Sequence, residues 1–410
     1  QLKDLDDLIK AERETLLVVT KAVVEGPELL RKNILQRAKS GGEWTARAAA
    51  LRVAVMTMKE KASKAYMLRA LNNDKDPRVR MVGLDALAAA PEGYEDLVIG
   101  RLADPDWGIV LRATSIAVER ELHKAVPHLI NALPRSGPRV AEGIGAALRK
   151  LTGENFEPYA DIWNKWWEDH KDDFKSDVAL KKGKQEEFAR VDFYGVPIKS
   201  DRILFIIDVS GSMKLKTKND NPKERWKPPP TTTGGKAPPP PPPPEEILSG
   251  PKIKVAQHEL KKAIKQLPKN YMFNMIKFNH GAAYWQPAMQ KASAKNKEKA
   301  LEWVRRLKPG GSTYIDGALR MGFTLAGLIN FDKRYPDVHV DTIVLLSDGA
   351  PTDSSFPVSK LMKPEVIIEH VREWNKGKQI VIHCIGVDMV EGIEFMKKLA
   401  AENGGTYVDR

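Results

Sequence analysis

Three hard-oxygen side chains, Asp208, Ser210 and Ser212, follow five consecutive apolar residues, Ile203 to Ile207, in a chain of 410 residues. An apolar run without polar alternation predicts a strand covered on both faces, which puts the polar triplet at its carboxyl end. In open α/β sheets that end is where ligands bind. Two further oxygen-bearing loops occur downstream: Gly310-Gly311-Ser312-Thr313 opens a helical pattern, and Ser347-Asp348-Gly349 closes another apolar run. From these loops two carboxylates and three hydroxyls can converge on one ion. Such oxygens, without thiolate or imidazole, select a hard ion: Mg2+, or Ca2+ or Mn2+ in its place. Mg2+ keeps some of its waters, so one position can pass to an acidic side chain of a partner.

The elements that must position these loops alternate from Val191 onward. Residues 191–197 read as an edge segment laid against the sheet, and 202–208 as its central strand. Strands at 271–278, 283–285, 342–347, 379–387 and 406–409 are separated by helical patterns at 252–267, 295–306, 315–329, 364–376 and 392–402. This alternation predicts a doubly wound, mostly parallel sheet with helices on both faces.

The constellation Asp208-x-Ser210-x-Ser212, Gly-Gly-Ser-Thr and Ser-Asp-Gly, in that order, resembles the metal-ion-dependent adhesion site of von Willebrand factor type A domains. The resemblance covers essentially all of residues 191–410 outside one insertion. It implies a Rossmann-like fold in which Ser210, Ser212 and Thr313 place hydroxyl oxygens on a divalent cation. Asp208 and Asp348 then contribute charge directly or through bound water. Family members often have Thr directly after two glycines, whereas here Ser312 intervenes, so Ser312 and Thr313 are alternative ligands. Counting back from Ala318-Leu319 favours Thr313, which leaves Ser312 and Asp353 behind the ligand set, with a plain surface loop as the simpler reading of Asp353. The resemblance also implies a partner-linked shift of the last helix, 392–402.

The chief departure from that family is an insertion at 214–250 with seven consecutive prolines, Pro238 to Pro244. Neither a helix nor a central strand can cross it, and its proline run predicts extended polyproline II structure. Its anchors lie beside the metal loops. The basic portion, Lys214, Lys216, Lys218, Lys223, Arg225 and Lys227 around Trp226, is expected to steer an acidic ligand toward the ion. A tolerated flexible insertion is the simpler alternative.

Residues 1–174 read as helices with breaks at Gly or Pro every 12 to 18 residues. A pattern opening at Asp76-Pro77-Arg78-Val79 returns at Asp106 and again at Pro138-Arg139-Val140, with a weaker copy at Glu43 to Leu51. These units resemble HEAT-type repeats, which implies an α-solenoid whose extended faces bind a second protein. Trp163, Trp166 and Trp167 fall on one helical face, expected to cap that array or pack on the next domain rather than dock a partner. A charged linker is expected at 175–190, giving an α plus α/β chain of two domains.

Bulk composition narrows the function. No window approaches a membrane span, and the single cysteine, Cys384, rules out a disulfide framework and reads as a small buried hydrophobe. The net charge of +12 is compatible with acidic partners, but Lys and Arg are spread along the chain and no basic stretch interleaves aromatics, which argues against nucleic acid. No nucleophile–His–acid set, Walker loop or Rossmann glycine fingerprint is visible. The expectation is therefore not an enzyme but a cation-dependent binding protein for adhesion or assembly, with a metal-dependent hydrolase a distant alternative. Because the sequence starts at Gln1, a cleaved leader and a periplasmic, bacterial-envelope or secreted location are expected. A cytoplasmic assembly factor using the same metal site is the alternative.

Overall fold

Asp-x-Asp turns thirty residues apart organise the amino-terminal helices. In the computed structural model, Asp74 Oδ1 accepts the Asp76 amide at 3.0 Å, and Asp104 Oδ1 accepts the Asp106 amide at 3.0 Å. The second aspartate of each turn then caps the following helix, Asp76 through the Arg78 amide and Asp106 through the Ile109 amide, satisfying amides the helix leaves orphaned. The structure describes residues 18, 20–39, 43–57, 59, 61–89, 94–174, 178, 180, 191–217, 250–328, 339–353, 360–375 and 380–410. They fall in two compact units, one built mainly from Gln1–Ser136 and Val140–Gln185, the other from Glu186–Ile329 and Val338–Arg410.

The first unit contains α1 (Glu28–Lys39), α2 (Trp44–Met56), α3 (Lys61–Asn73), α4 (Pro77–Ala88), α5 (Glu95–Gly100), α6 (Trp107–Glu119), α7 (Val126–Ala132), α8 (Pro138–Thr152) and α9 (Ala160–His170). Helix α2 packs on α4, and α4 on α6. Arg47 grips Asp74 with two hydrogen bonds of 2.8 and 3.1 Å, and Arg80 grips Asp104 with two of 2.8 and 2.7 Å. Bidentate pairs of this kind fix both distance and orientation between successive helices. Gly83 lets α4 approach closely, since a Cβ there would lie 2.5 Å from Leu71 and 2.7 Å from Leu51. The tryptophan face packs within its own unit: Trp163 and Trp167 are buried, and half-buried Trp166 stacks on His170.

The second unit is a seven-stranded sheet. Its strands are β3 (Arg202–Asp208), β4 (Met272–Phe278), β5 (Ala282–Tyr284), β6 (Gln290–Lys291), β7 (Thr342–Ser347), β8 (Val381–Gly386) and β9 (Tyr407–Asp409), with order β5-β4-β3-β7-β8-β9 and β6 on β4. Neighbours from β4 to β9 are parallel, while β5 and β6 pair antiparallel with β4. Helices α10 (Lys252–Gln266), α11 (Ala294–Arg305), α12 (Ile315–Leu325), α13 (Pro364–Trp374) and α14 (Ile393–Glu402) cover it.

The unbroken apolar run in β3 has a direct explanation. Ile203, Phe205 and Ile207 enter one core with Ala256 and Leu260 of α10 and Val304 of α11. Leu204 and Ile206 enter the other with Leu319 of α12, Val371 of α13 and Leu399 of α14. Cys384 is buried on β8, where burial pushes its thiol pKa up. One expectation fails: residues 191–197 do not join the sheet. Among the described residues, strands β1 (Val191–Phe193) and β2 (Val196–Ile198) pair only with each other. The turn between them, Tyr194-Gly195, has positive φ at both residues, which closes a two-residue hairpin.

Of the expected linker, only Val178 and Leu180 are described. The insertion's interior, including Lys218 and Trp226, lies outside the described residues, but its base is visible. Lys216 bridges Pro251, and the Thr217 amide donates to the Gly250 carbonyl at 3.0 Å. Among the described residues, no helix is long and apolar enough to cross a membrane.

Candidate metal centre

Strand β3 lies between β4 and β7, so the chain leaves β3 to one side and later returns on the other, and the crevice opens at the carboxyl ends of β3 and β7. Three clamps draw the loops together there. The Gly310 amide donates to the Val209 carbonyl, and the Gly211 amide donates to the Gly311 carbonyl, each at 2.8 Å. Asn279, just past β4, donates its side-chain amide to the Gly310 carbonyl at 2.8 Å. Gly311 has φ of +84°, and a Cβ there would lie 2.5 Å from His280 Nδ1, so glycine alone suits this position.

Asp208 is wholly buried. Its Oδ1 accepts the Ser210 amide at 2.7 Å and its Oδ2 the Ser347 hydroxyl at 2.6 Å. Burial first, and the Asp348 charge second, push its pKa up to about 6. The Ser212 hydroxyl donates to Asp348 Oδ1 at 2.7 Å and lies 3.0 Å from the Ser210 hydroxyl. With the Ser212 proton committed to Asp348, the Ser210 proton is shared between the Ser212 oxygen and the Asp208 carboxylate, both of which its hydroxyl meets. Lone pairs on both serine oxygens stay available for a cation.

Thr313 is held by its backbone. Its amide donates to Thr352 Oγ1 at 3.0 Å and its carbonyl accepts the Thr352 amide at 2.9 Å. The Thr313 hydroxyl oxygen lies 3.9 Å from where a Cβ on Gly349 would stand, so it faces the turn that carries Asp348. The five expected residues, Asp208, Ser210, Ser212, Thr313 and Asp348, thus meet at one end of the sheet. Ser312 is half-buried beside them. Asp353 instead closes a loop, exchanging two 2.8 Å backbone and side-chain bonds with Lys360. Lys214 and Lys216 are exposed at the insertion's base.

Four residues have roles here that the sequence reading did not assign, although it named Ser347 within Ser-Asp-Gly. Ser347 precedes Asp348 as a polar residue on an otherwise apolar strand, which was the available signal. Asn279 and Thr352 lie in loops whose polarity is unremarkable. The fourth, Lys252, sends its ammonium to Asp348 Oδ2 at 3.0 Å; the insertion separates it from Asp208 in sequence.

The donor set fits a hard ion. Octahedral Mg2+ with bonds near 2.1 Å has adjacent ligand oxygens about 3.0 Å apart, the spacing of the Ser210 and Ser212 hydroxyls. Among the described residues, no cluster of three or more His, Cys, Asp or Glu is placed to hold a metal, so any cation here rests largely on hydroxyls.

Residues 245–409 match the family described as von Willebrand factor type A domain. That match falls on the second unit. The matched span begins near the end of the insertion, so it includes Thr313 and Asp348 but not the Asp208 loop. Among curated proteins the chain is similar to inter-alpha-trypsin inhibitor heavy chain H4 of Homo sapiens, 33% identical over 158 residues, covering 38% of this chain and 16% of that one. Inter alpha-trypsin inhibitor, heavy chain 4 of Mus musculus is 28% identical over 210 residues, 51% of this chain and 18% of the other. The chain thus spans less than a fifth of either relative. Among solved structures, a von Willebrand factor type A protein from Catenulispora acidiphila is 20% identical, with a TM-score of 0.33, over 52% of this chain and 40% of that one.

Proposed function

We propose that this chain is a divalent-cation-dependent protein-binding protein for adhesion or assembly. Ser210, Ser212 and Thr313 hold Mg2+, or Ca2+ or Mn2+ in its place, while Asp208 and Asp348 supply charge. The observation that carries the reading is the pair of serine hydroxyls 3.0 Å apart, with free lone pairs, beside a buried aspartate met by two hydroxyls and an amide. Bound there, the ion supplies a Lewis-acidic position open to a carboxylate of a partner. Asp208 orients the Ser210 loop through its amide, and the Thr313–Thr352 backbone pair holds the third loop against the second.

The amino-terminal helices are HEAT-like repeats that stack into a solenoid and offer a face to a second protein. The recurring Asp-x-Asp turns and the Arg47–Asp74 and Arg80–Asp104 pairs support this assignment. The site reading is tested by calorimetric titration of Mg2+, Ca2+ and Mn2+ into wild type and Asp208→Ala. Wild type should take one ion per chain and the variant should lose it; a wild type that binds none of the three overturns the reading.

A further inference from the structure

Lysine is a costly choice for the first residue of α10. The amino end of a helix carries partial positive charge, which disfavours a cation, and Lys252 is only 5% exposed, where an ammonium loses its hydration. Lys254, two residues on, is exposed, so basicity in this turn does not require burial. Both penalties at Lys252 are offset at one place: Nζ lies 3.0 Å from Asp348 Oδ2 and 3.5 Å from the Asp388 carbonyl. Asp348 is thereby held at both oxygens, Oδ1 by Ser212 and Oδ2 by Lys252.

Resting on the cation-binding reading above, we propose that Lys252 is a positioning residue that fixes Asp348 and sets the charge of the ion-loaded site. Two carboxylates alone would neutralise a divalent ion. The ammonium beside them leaves one positive charge over, so the loaded site is completed by one anionic group from a partner. Lys252 therefore weakens the hold on the ion by itself and makes the site selective for acidic ligands.

The test is Mg2+ calorimetry together with thermal melts, with and without Mg2+, on wild type, Lys252→Met and Lys252→Arg. Methionine keeps the stem and removes the charge. It should tighten Mg2+ binding about tenfold, lower the melting temperature of the metal-free protein and enlarge the rise that Mg2+ produces. Arginine keeps the charge and should leave Mg2+ affinity within about threefold of wild type. A Lys252→Met protein that binds Mg2+ no more tightly than a binding-competent wild type sinks this inference alone, as does Lys252→Arg shifting as far as Lys252→Met. A Lys252→Met chain that stays unfolded in saturating Mg2+ also overturns it, because the ion then cannot take over the ammonium's charge on Asp348. Absence of binding to wild type and Lys252→Met alike defeats the cation reading itself, and this inference with it.

Discussion

The strands β3 and β7 bury an aspartate at each end, and the two are met in opposite ways. Asp208 closes β3 at the carboxyl end and Asp341 stands just before β7 at the amino end; both are 0% exposed. Asp341 Oδ1 accepts the Ser200 hydroxyl and, at 2.9 Å, the Thr342 hydroxyl, while Oδ2 faces the Arg202 guanidinium at 3.5 Å. Asp208 is met by the Ser347 and Ser210 hydroxyls and the Ser210 amide, with no cation beside it among the described residues, and the charge that raises its pKa is another carboxylate, Asp348. A buried charge built to hold a fold together has a fixed counter-charge from its own chain. A buried charge placed near a like charge raises the energy of the empty site, and an incoming cation relieves it.

The largest test of that contrast is stability. Asp341→Ala strips the acceptor from two buried hydroxyls and one of two counter-charges from the Arg202 guanidinium, which keeps Asp201 at 3.4 Å, and should cost about 2–3 kcal/mol in urea unfolding. Asp208→Asn in metal-free protein keeps an acceptor for the Ser210 amide and should change stability by about 1 kcal/mol or less. Comparable losses at both ends would break the comparison.

The next effect is in pH. Burial, the dominant cause, pushes the Asp341 pKa up to about 7 against the partial relief from Arg202. With a folded pKa above the unfolded value near ~3.9, this group favours the fold fully below about pH 4, and that contribution is lost as pH rises through about 7. Asp341→Asn should flatten the decline in stability across that window, and an unchanged slope contradicts the assignment.

Smaller effects sharpen the cation end. Thr313→Ala should weaken Mg2+ binding about tenfold while leaving metal-free stability within about 1 kcal/mol, because the backbone of Thr313 carries its bonds to Thr352. A fall in stability with unchanged affinity would make the hydroxyl structural. Smallest is the effect of replacing residues 219–248 by a short turn. The insertion's base is already closed by Lys216–Pro251 and Thr217–Gly250, so the metal-free melting temperature should move by about 2 °C or less. A larger drop would mean that the insertion packs on the domain.

What the sequence made legible follows the same division. The apolar run of β3 was readable because its residues alternate between two covered cores, Ile203, Phe205 and Ile207 against Leu204 and Ile206. The five oxygen-bearing residues of the candidate site were readable because their types are conspicuous after apolar strands. Lys252 was not, since a lysine opening an amphipathic helix looks solvated until the fold brings it to Asp348. Ser200 and Arg202 were invisible as partners of Asp341 for the same reason: the pairing crosses about 140 residues and exists only through the parallel register of β3 on β7. The β1–β2 hairpin was misread because its apolar content suits a sheet edge equally well, and the backbone at Tyr194-Gly195 decides between the two.

The central claim is that the carboxyl end of β3 is a cation site while its amino end is a closed charge cluster. Crystals soaked in Mn2+ and measured at the manganese absorption edge test it directly. A single anomalous peak within about 2.5 Å of the Ser210, Ser212 and Thr313 hydroxyl oxygens, with none near Asp341, is the predicted result. A peak elsewhere, or no peak at that site in well-diffracting soaked crystals, would contradict the account.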